Sequence, residues 1–152
     1  MASHPLTIVI ASGASRTVEF VVRQNGACPG REFLDGECEN IREGSKNKPE
    51  STARAKFEFL FQRMADYGDV SPKRFKKEMG KFYAFVNEVR NQLVRFPCFQ
   101  DGSKWIVTHG FIKPGAKKGL GNWPDAEVRR AEEIMGEYFF RKNILGKRPG
   151  KQ

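Results

Sequence analysis

Few side chains in this sequence bear chemistry beyond charge. His109 is the only histidine in the body of the chain, because His4 sits near its start. An unperturbed imidazole titrates near neutrality, so His109 could carry a proton. Strand alternation sets it beside Trp105, Val107 and Phe111, and that apolar company favours a structural, hydrogen-bonded imidazole over a catalytic one. Cys28, Cys38 and Cys98 are odd in number and lack CxxC or Cys/His ligand spacing. They read as reduced thiols, and neither a disulfide framework, a metal site nor a cofactor is expected.

What remains is cationic. The chain has 27 Lys and Arg against 18 Asp and Glu, a net charge of +9. Such a field attracts polyanions and weakens with salt. Its distribution is uneven: residues 1–68 are neutral, residues 69–118 carry 11 basic against 4 acidic side chains, residues 119–140 are net −3, and residues 141–152 add +5. The middle block holds Lys73, Arg74, Lys76, Lys77, Arg90, Arg95, Lys113, Lys117 and Lys118. A solvated lysine surface is the plain alternative to a binding face.

These cations need a scaffold. Leu6 to Ala11 and Arg16 to Arg23 alternate as a hairpin, and Phe33, Leu34, Cys38 and Ile41 follow Pro29 at helical spacing. Ala53, Phe57, Leu60, Phe61 and Met64 form the apolar stripe of a second helix that Gly68 can close. Past the Pro72 loop, Phe82 to Val89, Leu93 to Phe99 and Lys104 to Ile112 read as a three-stranded meander with turns near Arg90-Asn91 and Asp101-Gly102. The last strand is apolar on both faces, which makes it central. A glycine- and lysine-rich loop leads to a helix that begins near Pro124 and buries Val128, Ala131, Met135 and Tyr138. The expected architecture is α+β, an antiparallel twisted sheet with the helices on one face and the cations on the other. At 152 residues one domain is expected, covering 1–143, with a basic disordered tail over 144–152. No apolar run is long enough for a membrane span or signal peptide, so a cytoplasmic protein is expected.

Particular residues also carry a likeness. Gly26-Ala27-Cys28-Pro29 with Glu32-Phe33-Leu34, Ala65-Asp66-Tyr67-Gly68, Glu88-Val89-Arg90 with Gln92, Arg95, Cys98-Phe99 and Asp101-Gly102, Thr108-His109-Gly110-Phe111-Ile112-Lys113, and the Ala131 to Tyr138 helix occur in this order over about four-fifths of the chain. In sequence and layout they resemble the RelE/HigB-like type II toxin superfamily, most closely its phage-derived branch. The resemblance implies a RelE-like fold and a metal-independent endoribonuclease. Such a toxin cleaves mRNA, often on the ribosome, through attack of the RNA's own 2′-hydroxyl, and an acidic antitoxin covers its cationic face. That reaction needs a proton acceptor, a proton donor and cations directed at the phosphorane.

By the same resemblance Arg95 is the strand arginine facing the scissile phosphate, with a surface ion pair to Glu88 as its plain alternative. Lys113 is a phosphate clamp or proton carrier, and His109 completes the catalytic candidates. Arg90, Lys73, Arg74, Lys76, Lys77, Lys117 and Lys118 would hold RNA backbone. Two departures, Pro114 in place of a second lysine and an insertion over 119–123, favour an alternative: a non-catalytic RNA- or protein-binding relative. A gyrase-directed toxin on the same fold is a further alternative.

Overall fold

The computed structural model describes residues 4–43, 52–113 and 123–146. Its first elements are a hairpin of β1 (Thr7–Ser12) and β2 (Thr17–Val21). Pro29 then opens α1 (Pro29–Asp35), where its missing N–H costs nothing. The single helix expected over this stretch is broken at Gly36, and a short turn, α2 (Glu37–Asn40), follows. In α3 (Ala53–Tyr67) the Thr52 hydroxyl accepts a 3.0 Å hydrogen bond from the Ala55 N–H, and Gly68 closes the far end at φ 83°. The expected stripe of Phe57, Leu60, Phe61 and Met64 is buried.

The sheet is larger than the sequence suggests. Its later strands are β3 (Phe75–Met79), β4 (Phe82–Val89), β5 (Gln92–Asp101), β6 (Lys104–Val107) and β7 (Phe111–Lys113). They assemble in the order β1-β2-β6-β5-β4-β3, and β7 pairs with β5 beyond the end of β6. The sheet is mixed, because β2 runs parallel to β6 while every other pair is antiparallel. The expected antiparallel meander is present as β4, β5 and β6. The wholly antiparallel sheet is corrected by the parallel β2–β6 pair, β3 is an additional edge strand, and the expected last strand is two.

Pro97 accounts for that division. It lies in β5 with its carbonyl toward β6 and β7, accepting a 2.9 Å hydrogen bond from the Thr108 N–H. A proline has no N–H to donate on that side, so the ladder breaks there. Cys98 pairs with Val107 and Arg95 with Phe111, so Thr108, His109 and Gly110 stand opposite only Phe96 and Pro97. This one-residue excess is a β-bulge, and it moves the following residues to the other face.

Both faces of the sheet are covered. Phe20, Phe57, Phe61, Phe85 and Phe96 interlock under α1 and α3. On the other side Phe82, Phe99, Ile106, Phe111 and Trp123 pack with Ala131, Ile134 and Tyr138 of α4 (Asp125–Gly146). The expectation that all helices share one face fails because β4, β5 and β6 present apolar residues on both sides, and each side needs cover. Arg23 grips Glu137 at 2.8 Å, and Arg141 donates to the Val22 carbonyl at 2.7 Å, which hold α4 in place. The helix continues to Gly146, past the expected start of the tail. Among the described residues no helix is long and apolar enough to cross a membrane.

Candidate functional site

On the α4 side of the sheet, Arg95 stands in the middle of β5, opposite Val86 of β4 and Phe111 of β7. Lys113 pairs with Leu93, so it shares the face of Arg95 and lies one diagonal step away, about 7–8 Å in ordinary sheet geometry. The bulge creates this proximity. In an unbroken strand Lys113 would follow the parity of Trp105 and Val107, into the core beneath α3.

Arg95 is not the surface residue that an exposed pair with Glu88 requires. It is 1% exposed, and its carboxylate neighbour is Glu78, whose Oε2 lies 3.5 Å from Nε. Glu78 comes from a register irregularity between Lys77 and Met79. The two groups attract without a hydrogen bond: Nε and Nη1 of Arg95 and Oε2 of Glu78 are all buried with no hydrogen-bond partner among the described residues. Buried polar atoms are normally satisfied, and a guanidinium with N–H groups to spare has the chemistry to accept an anion.

His109 lies in the bulge, fully buried, and stacks on Phe111 with ring centroids 5.8 Å apart. Its expected neighbours Trp105 and Val107 instead face the other core, because parity is lost at the bulge. His109 Nε2 sits 2.9 Å from Glu127 Oε1, and Nδ1 2.9 Å from the Thr108 hydroxyl. Burial, with the charge of Arg130 adding to it, pushes the imidazole down to about 3. It is therefore neutral near pH 7, with Nε2–H donating to the carboxylate. Burial raises the Glu127 carboxyl above its usual range. This arrangement ties the bulge to the first turn of α4 and leaves both imidazole nitrogens occupied.

The other cations are dispersed. Lys76, opposite Ala84, is in the row that faces α4, while exposed Lys77 is in the alternate row beside Tyr83. Lys73 and Arg74 precede β3, and Lys73 is exposed. Arg90 is exposed at the tip of the β4–β5 turn, where it and Asn91 adopt φ 54° and 63°. Lys117, Lys118, Pro114 and most of the 119–123 insertion lie outside the described residues; Trp123 is buried against Phe82 and Phe111. Tyr138 is a core residue whose hydroxyl donates to Asp101 at 2.7 Å. Burial raises all three thiols, Cys38 to about 12, so none is a ready nucleophile near pH 7.

No family model, curated protein or solved structure matches the chain. The site therefore rests on its own geometry. Glu78 is the residue that sequence reasoning passed over. Its one signal was an acid at strand-compatible spacing within the most basic stretch of the chain.

Proposed function

We propose that the chain is an RNA-directed toxin of the RelE/HigB-like kind, a metal-independent endoribonuclease acting in the cytoplasm. Its partners in this reading are RNA, on the ribosome or free, and an acidic antitoxin. One observation carries it: a buried guanidinium with unused N–H groups, a carboxylate 3.5 Å away, and a lysine one step along the same face.

Those groups supply what 2′-hydroxyl attack needs. Glu78 takes the 2′ proton, Arg95 holds the two non-bridging oxygens as negative charge grows on phosphorus, and Lys113 delivers a proton to the departing 5′ oxygen. The products are a 2′,3′-cyclic phosphate and a 5′-hydroxyl. His109 is assigned to the scaffold, since both its nitrogens are engaged and its charge is suppressed. With Arg95 only 1% exposed, entry of a phosphate requires its cover to yield.

The burial of Arg95 also favours a second reading, in which the scaffold binds RNA or protein without cleaving it. Purified protein and its Arg95→Ala, Glu78→Gln and Lys113→Ala variants, incubated with mRNA with and without ribosomes, separate the two. The nuclease reading expects cyclic phosphate ends, with Arg95→Ala reducing their rate by about 100-fold or more. It also expects expression of the wild type to slow growth and the variants to relieve it. A wild type that neither cuts RNA nor slows growth ends that reading, and salt-sensitive RNA binding without cleavage supports the second.

A further inference from the structure

The opposite side of the molecule carries a different feature. Beside α3 runs a groove of about 610 Å³, lined by α3, the segment Val70 to Arg74, and Asn87 of β4. Its apolar surface comes from Phe59, Leu60 and Val70, and the lining also includes Lys56, Arg63 and Arg74. Among the described residues no acid lines the groove, and none of these three cations forms an ion pair.

The contrast with Arg54 on the same helix is informative, because that guanidinium is shared by Asp35, Glu39 and Glu58. The helix thus neutralises one flank and leaves the other positive. Lys56, Phe59, Leu60, Arg63 and Tyr67 follow i, i+3, i+4, i+7 and i+11 spacing, so they form one stripe. Over these positions an α-helix rises about 17 Å, some three turns. Phe59 is 63% and Tyr67 68% exposed, and the Arg63 guanidinium lies 5.1 Å from the Tyr67 ring. Large apolar side chains at that exposure, beside a concave aliphatic floor, form a surface suited to a partner.

We propose that this groove docks an acidic amphipathic helix of a partner protein. Its apolar ridge lies on Phe59, Leu60 and Val70, and its carboxylates meet Lys56, Arg63 and Arg74. An apolar floor between cationic rims is the complement of such a helix, since each turn offers a hydrophobic knob with acids on either flank. A polynucleotide suits it less, because it needs cations along a continuous track rather than an aliphatic trough. The groove abuts the core beneath α3, on the sheet face away from Arg95 and Lys113. A partner held there leaves the phosphate-facing groups uncovered, and nothing in the placement depends on nuclease activity.

The test uses the full ¹⁵N-labelled chain and a stapled helical peptide of about 16 residues, with leucines on one face and glutamates flanking them. A scrambled peptide of the same composition is the control. Binding is expected to shift the amide resonances of Lys56, Phe59, Arg63 and Val70, and the K56E/R63E double variant, checked for folding by circular dichroism, is expected to weaken it at least about tenfold. The milder Arg63→Gln change is expected to fall between. Equal binding of the scrambled peptide, or unchanged affinity of K56E/R63E, overturns the proposal. So does a single-stranded RNA that moves the same resonances more tightly than the peptide. A concentration-dependent dimer dispersed by Phe59→Asp also overturns it, since the occupant is then a second copy of the chain.

Discussion

Arg95 and Glu78 are opposite charges, the first fully and the second largely withdrawn from water, with their hydrogen bonding incomplete among the described residues. A buried pair of this kind stabilises a fold weakly, whereas removing one member strands the other. Arg95→Met alone is therefore expected to lower stability by about 3 kcal/mol, and the Arg95→Met/Glu78→Leu pair to recover that loss or exceed the wild type by about 1 kcal/mol. Urea unfolding of the wild type and these two variants reads this directly, and a double variant as unstable as the single one would make the pair structural. His109 gives a pH signature. In the fold the imidazole is pushed down to about 3, below its ordinary 6.5, so the folded state binds fewer protons in between. The stabilisation is whole above pH 6.5 and is lost as pH falls toward 3. Between pH 7.5 and 5 the wild type should lose on the order of 2 kcal/mol more than His109→Gln, measured by urea unfolding at both values. Arg95 and Lys113 could be picked out because guanidinium and ammonium groups suit phosphates. Glu78 could not, because one acid among lysines looks like any solvated charge until a neighbouring strand brings Arg95 to it.

Secondary structure was readable where residue periodicity is one-sided. The stripe from Ala53 to Met64 has a single buried face, so α3 is found in its expected place. The strand pair β4 and β5 likewise forms around the expected Arg90-Asn91 turn. From Lys104 to Lys113 the pattern is uninformative, since Trp105, Ile106, Val107 and Phe111 are all buried and a two-sided strand conceals a shift of parity. The division at Pro97 is thus a matter of backbone donors rather than hydrophobicity. β3 escaped notice because its Lys76, Lys77 and Glu78 make an edge strand resemble a loop. Gly110 offers a check on the bulge. A Cβ there would lie 2.2 Å from Cδ2 of Phe33, inside van der Waals contact. Gly110→Ala is expected to cost about 1–3 kcal/mol by forcing α1 away from the sheet. A change of a few tenths in urea unfolding would show that Phe33 swings aside.

Charge acts on the scale of the complete protein. The net charge of +9 sets how strongly any polyanion is drawn in, whichever side chains finally hold it. Affinity for single-stranded RNA is expected to fall at least about tenfold between 50 and 200 mM salt, and Arg95→Ala to reduce the log–log slope by about one. Fluorescence anisotropy over a salt series reads both, and a flat dependence would rule out a phosphate-led interaction. Topology at this scale has a consequence for synthesis. Among the described residues the hairpin of β1 and β2 joins the rest of the sheet only through β6, where Thr17 meets Lys104. At ordinary translation speeds the ribosome needs about 4 to 17 s to make the intervening chain. Through that interval the inner edge of β2 has no docking strand, so the nascent protein carries an open β edge until nearly all of its sheet has been made.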